Sequence, residues 1–159
     1  MRKVDQLLDE YGESHQTKFN KLIHYICVPA IVFSVVGLLA CIPLGFLARM
    51  LPASLAPYAH LGSVLIVLSL LFYLRLSVPL AIGMFFYSAL VLWGNYQIVA
   101  AGLPLWLVSV AIFVVAWIFQ FIGHNHEGKK PSFLKDVQFL MVGPAWILGF
   151  VFRKWGIPY

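Results

Sequence analysis

Four long apolar stretches with almost no charged residues occupy most of the sequence and restrict the folds open to it. They cover about residues 22–47, 61–76, 79–100 and 104–123. A helix needs about 20 apolar residues to cross the hydrocarbon core of a bilayer. Only helices and closed barrels can satisfy their backbone polar groups there. We therefore predict an all-α integral membrane bundle with four transmembrane helices.

The overall composition supports this prediction. Charged residues make up 11% of the chain, against about 25% in soluble domains. The length of 159 residues predicts one domain over residues 1–159. The net charge of +5 is spread over the chain ends and loops, so nucleic-acid binding is not indicated. Residues 1–21 are polar and carry charges of both signs, unlike a secretory signal, so the first apolar stretch is predicted to remain as an anchor.

Two further segments flank the four stretches. Residues 3–13 predict an N-terminal amphipathic helix on the membrane or on the bundle. Its apolar residues recur at helical spacing, namely Val4, Leu7, Leu8 and Tyr11. Residues 137–152 are apolar but are interrupted by Gly143 and Pro144. Their length is borderline, so a re-entrant segment and a fifth span both stay open.

The positions of the basic residues predict the orientation. With the N-terminus inside, four crossings place eight basic residues on the cytoplasmic side and only Arg49 on the other, while Arg153 and Lys154 depend on the path of the last segment. Cytoplasmic loops carry an excess of Lys and Arg. The eight are Arg2, Lys3, Lys18, Lys21, Arg75, Lys129, Lys130 and Lys135. Because the loops are short, we favour a bacterial inner membrane over the endoplasmic reticulum of a eukaryote.

Four of the five histidines lie in two polar patches, one around the start of the first apolar stretch and one at the end of the fourth. The predicted topology brings both patches to the cytoplasmic face. Imidazole is the most common metal ligand among side chains, and four imidazoles suit Zn, Cu, Fe or Ni. The predicted ligands are His15, His24, His124 and His126. The predicted supporting residues are Asn20, Gln120 and Glu127.

Helix geometry sets a condition on each patch. His15 and His24 are nine residues apart, which is about 180° around a continuous helix. They can reach one metal only if the chain breaks near residues 14–19. His124 and His126 likewise point apart on a helix, so their convergence requires the helix to end near Gly123.

Each patch also has a simpler interpretation. His24 alone is typical of an interfacial anchor, and His15 alone is typical of a solvated helix end. The second patch alone is compatible with a polar helix terminus. The alternative function is therefore a non-catalytic membrane scaffold or partner-binding protein with interfacial histidines. A proton-coupled carrier is a third possibility, but carriers place ionisable residues near the bilayer midplane, and here they cluster at one surface.

The segments around both patches resemble the two signatures of the small membrane 2-hydroxy-fatty-acid dioxygenases, a family first catalogued as a domain of unknown function. The resemblance covers nearly the whole chain. His15, His24 and His124 coincide with the family's histidine positions, whereas His126 lies where the pattern is looser. The similar segments are residues 11–15, 20–24, 27–29, 120–124, 127–133, 138–140 and 143–144.

The resemblance implies an Fe(2+)-dependent dioxygenase of fatty acid alpha-oxidation. Such an enzyme uses O2 to shorten a 2-hydroxy fatty acid by one carbon and releases CO2. Histidine-bound iron can accept the carboxylate and hydroxyl of such an acid and still bind O2. Lys129 and Lys130 are predicted to attract the carboxylate, and no catalytic residue beyond the metal ligands is predicted. The oligomeric state stays open.

Overall fold

The structure is a computed structural model that describes residues 2–128 and 139–159. Within these residues the chain forms seven α-helices and no β-strand, which confirms the predicted all-α class. The helices are α1 (Lys3–Gly12), α2 (Lys18–Ala40), α3 (Gly45–Met50), α4 (Leu61–Leu76), α5 (Val78–Ala100), α6 (Leu105–His126) and α7 (Val142–Lys154).

Three of the helices, α2, α5 and α6, are long and apolar enough to cross a membrane. The fourth predicted span, α4, is apolar but has only 16 residues. At about 1.5 Å per residue it is roughly 24 Å long, less than the hydrocarbon core of about 30 Å. A crossing by α4 therefore stays a prediction.

The boundaries of the first predicted span differ from those of α2. This helix begins at Lys18, four residues before the predicted start at 22, and ends at Ala40, seven residues before 47. Thr17 sets the start, because its Oγ1 accepts a hydrogen bond from the Asn20 amide at 3.3 Å. The end precedes Pro43, which has no amide hydrogen with which to continue a helix.

The centre of the bundle is α2, which packs along α6, α4 and α5. Asn95 on α5 donates a hydrogen bond of 3.3 Å to the Phe33 carbonyl on α2. Gly37 allows this close approach, since a Cβ there would lie 2.3 Å from Ser109 Oγ and 2.4 Å from Asn95 Oδ1. Asn95 therefore links two helices, the role that polar side chains often take inside membranes.

The N-terminal helix α1 packs against α7 at the end of the bundle where α2 begins. Its buried face consists of Val4, Leu8 and Tyr11, so the predicted amphipathic helix lies on the bundle. With 13 residues, α7 is roughly 20 Å long. This length and the packing on α1 favour the non-spanning alternative for 137–152, of which residues 137 and 138 lie outside the described part.

Candidate metal centre

Three histidines from three different elements meet at this end of the bundle. His15 comes from the loop between α1 and α2, His24 from the second turn of α2, and His124 from the last turn of α6. One ring nitrogen from each lies within 4.8 Å of the others. The exposed fractions of the three residues are only 2%, 1% and 3%. The burial of His15 contradicts its interpretation as a solvated helix end.

The hydrogen bonds of two histidines define which ring nitrogen faces the cluster. His15 Nδ1 lies 2.6 Å from the Tyr11 carbonyl, and His24 Nδ1 lies 2.9 Å from the Asn20 carbonyl. Because a carbonyl only accepts, Nδ1 donates in both cases and Nε2 carries the lone pair. Metal-binding histidines usually donate their second nitrogen in this way. Both rings are therefore in the tautomer that binds a metal through Nε2.

The required break between His15 and His24 lies at residues 13–17, after α1 ends at Gly12 and before α2 begins at Lys18. The Gln16 side chain donates back to the Gly12 carbonyl at 2.7 Å. The chain turns at residues 13–17 and brings His15 over the start of α2. The ring centroid of His15 therefore lies 4.1 Å from that of His24.

Glu127 holds this loop against the end of α6. Its carboxylate accepts hydrogen bonds from the Gln16 amide at 2.6 Å, the Thr17 hydroxyl at 2.9 Å and Asn20 Nδ2 at 2.9 Å. Burial raises the pKa of Glu127, but the hydrogen bonds from Asn20, Gln16 and Thr17 outweigh this effect and lower the pKa to about 2. The carboxylate is thus ionised at neutral pH and acts as an acceptor for the loop.

Asn20 connects the loop, the histidines and α6. It is fully buried, and its Nδ2 also donates to the Ser14 carbonyl at 3.2 Å. A Cβ on Gly123 would lie 2.4 Å from Asn20 Oδ1, so glycine leaves the space that the amide fills. Gln120 is buried one turn before His124 and lies beside His24. Asn20 and Gln120 therefore lie beside His24, whereas Glu127 contacts Asn20 and the loop that carries His15.

The structure does not bring His126 into the cluster. Contrary to the predicted end near Gly123, α6 continues through His126. Residues two apart on a helix point in different directions. His126 is exposed, and its ring centroid lies 4.9 Å from that of Phe19. Its role as a ligand stays a prediction without support from the geometry.

Two aromatic residues cover the cluster. The Tyr11 ring stacks on the His15 ring with centroids 4.3 Å apart. The ring centroid of Trp146 on α7 lies 5.4 Å from that of His15. Tryptophan is common in the interfacial aromatic belts of membrane proteins, but Trp146 is only 3% exposed. Its place beside His15 depends on the packing of α7 on α1, for which the local sequence carries no signal. The contact of His15 with the Tyr11 carbonyl had a signal in the sequence, because the two residues are four positions apart.

The donor set fits a first-row divalent metal ion. Three imidazoles in a buried site suit iron, zinc and other ions of borderline softness. Within the described residues, Glu127 is not among the metal-binding group, since its oxygens hold the loop. Lys129 and Lys130 lie outside the described residues, so their contact with a carboxylate stays a prediction.

The sequence is similar to known proteins over most of its length. The family described as 2-hydroxy-palmitic acid dioxygenase Mpo1-like matches residues 1–155. The 2-hydroxy-palmitic acid dioxygenase MPO1 of Saccharomyces cerevisiae is 29% identical over 152 residues, which cover 93% of this chain and 79% of the yeast protein. No solved structure shows significant similarity. The resemblance seen in the motifs is thereby confirmed. The chain belongs to the 2-hydroxy-palmitic acid dioxygenase Mpo1-like family.

Proposed function

We propose that this protein is an Fe(2+)-dependent membrane dioxygenase that shortens 2-hydroxy fatty acids by one carbon. In this reaction the C1–C2 bond breaks, C1 leaves as CO2, and C2 becomes the carboxyl carbon of the shorter acid. O2 is the oxidant, and water is the remaining product. The observation that carries the proposal is the cluster of three buried histidines, and the family supports the substrate class.

The proposed roles of the side chains follow from their contacts. His15, His24 and His124 hold the ion through one ring nitrogen each. When bound, ferrous iron supplies coordination positions for the oxygen atoms of the acid and for O2, together with the electrons that O2 activation requires. Tyr11 and Trp146 exclude water from the side of α1 and α7. Exclusion of water strengthens the electrostatic interactions of the site and limits side reactions.

We also propose that the site faces the cytoplasm. The histidines lie at the same end of the bundle as the N-terminus, and most basic residues of the chain flank that end. This distribution supports a cytoplasmic position by the positive-inside rule. A bacterial inner membrane stays a prediction, and the relative from yeast is eukaryotic.

The test is elemental analysis and turnover on protein purified without oxygen from iron-replete cells. We expect stoichiometric iron, O2 uptake with 2-hydroxypalmitic acid and release of a fatty acid one carbon shorter. Palmitic acid, which lacks the hydroxyl, is the control substrate and should give no uptake. Zinc without O2 uptake would contradict the proposal, and protein without any metal would favour the non-catalytic scaffold.

A further inference from the structure

We propose that the bundle itself holds the acyl tail of the substrate, along a path that follows α2 from the histidine cluster to Ser88. The inference rests on the proposed function and extends it to the part of the substrate that does not react. It makes the side chains between α2, α4 and α5 the determinants of chain length.

The path begins in a cavity of about 20 Å³ beside the histidines. Tyr11, which stacks on His15, forms one wall, and Gln120, which lies beside His24, forms another. The other residues that line this cavity are apolar, namely Val28, Ile31, Trp117, Phe139 and Leu140. The first methylenes beyond a carboxylate and hydroxyl held at the histidines would enter here.

A second cavity of about 50 Å³ continues the path between α2, α4 and α5. Leu140 lines both cavities. Val28 on α2 borders the first cavity, whereas Val32 and Val36 border the second, so the voids follow successive turns of one helix. From His24 to Val36 the axial distance is about 18 Å at roughly 1.5 Å per residue. Ser88, which is 7% exposed, lies in the wall of the second cavity.

The walls are mostly apolar, which suits an alkyl chain. No charged residue lines either cavity in the described part of the chain. The first void begins at Tyr11 and Gln120, which contact the histidines, and it shares Leu140 with the second void. With volumes of about 20 and 50 Å³ they are narrow, so an entering tail must push lining side chains aside, and Met84 lines the second cavity. Methionine is flexible and adapts to irregular shapes, which suits a wall that opens for a ligand.

Photocrosslinking on the wild-type protein tests the path directly. One analogue of 2-hydroxypalmitic acid carries a diazirine close to C2, and a second carries it close to the methyl end. We expect the first to label residues 28–31 or 139–140 and the second to label residue 66 or 84–88. Labelling of 147–151, or of lipid-facing residues such as Leu90, by the second analogue would overturn the path.

Competition with unlabelled 2-hydroxypalmitic acid separates this inference from the proposed function. Where the acid competes but the label falls elsewhere, the acid binds and only the path is wrong. Where excess acid removes no label, the substrate does not bind, and both proposals fall.

A pair of variants on one helix gives an independent test. Ser88→Phe fills the second cavity, whereas Ala89→Phe adds a similar side chain at the neighbouring exposed position. We expect Ser88→Phe to lower turnover of 2-hydroxypalmitic acid, relative to 2-hydroxyoctanoic acid, by about tenfold, which corresponds to about 1.4 kcal/mol, because the ring occupies space that only the longer tail needs. Ala89→Phe should leave this ratio unchanged. An unchanged ratio in Ser88→Phe, or an equal loss with both acids, would overturn the inference.

Discussion

Asn20 and Glu127 lie 107 residues apart in the sequence and are joined by a hydrogen bond of 2.9 Å from Nδ2 to Oε2. The bond ties the first turn of α2 to the C-terminus of α6. His24 follows Asn20 by one turn, and His124 precedes Glu127 by one turn. The pair therefore sets the distance between two of the three clustered histidines.

Removing the carboxylate tests this role. In Glu127→Ala the amides of Gln16 and Thr17 lose their acceptor, and the loop that carries His15 is released. We expect metal affinity to fall by about 10- to 100-fold, as when supporting residues of other metal sites are removed. Titration of metal-stripped protein with Co2+ measures the change. Glu10→Ala, which removes an exposed carboxylate of α1, is the control, and equal affinity in both variants would disprove the role.

Single alanine substitutions distinguish the three proposed ligands from His126. We expect His15→Ala, His24→Ala and His124→Ala to lose bound iron, because each removes one of three converging nitrogens. His126→Ala should keep its iron, since the His126 side chain is exposed and packs on Phe19. Metal content after gel filtration gives the answer. Loss of iron in His126→Ala would contradict this prediction and indicate that His126 is a ligand.

Gly123 offers a test of the close contact between α6 and Asn20. A Cβ there would lie 2.4 Å from Asn20 Oδ1, so Gly123→Ala forces the amide away from Glu127. Overpacking of this kind costs about 1–3 kcal/mol of stability, and metal binding should weaken as well. Gly45→Ala is the matched control, because nothing lies within 4 Å of a Cβ at that helical position. Thermal unfolding in detergent and metal titration of both variants check the prediction, which fails if they behave alike.

A substitution at Gly37 tests whether stability can fall while metal binding is unchanged. A Cβ there would lie 2.3 Å from Ser109 Oγ, at the part of α2 remote from His24. We expect Gly37→Ala to lower the unfolding temperature through an overpacking cost of about 1–3 kcal/mol, while the folded fraction keeps its full metal content. The prediction fails if Gly37→Ala unfolds at the wild-type temperature, or if its folded fraction lacks the metal.

Much of the fold could be predicted because its signal is local. Long apolar stretches with almost no charge predict helices that can cross a membrane, and α4, α5 and α6 overlap the predicted stretches. The start of α2 could not be placed in this way, because Thr17 caps the helix inside a polar segment. The three polar residues Asn20, Gln120 and Glu127 were predicted near the histidines, but their individual contacts were not.

The sequence by itself determined that this chain forms apolar helices and that two histidine patches lie at the ends of the first and fourth apolar stretches. Hydrophobicity and spacing along the chain carry that information. Only the tertiary structure decided which histidines meet. The Glu127 contacts fold His15 onto His24, and the continuation of α6 turns His126 away from His124. The physical reason is that helix phase and hydrogen bonds across more than a hundred residues depend on packing, which no local pattern encodes.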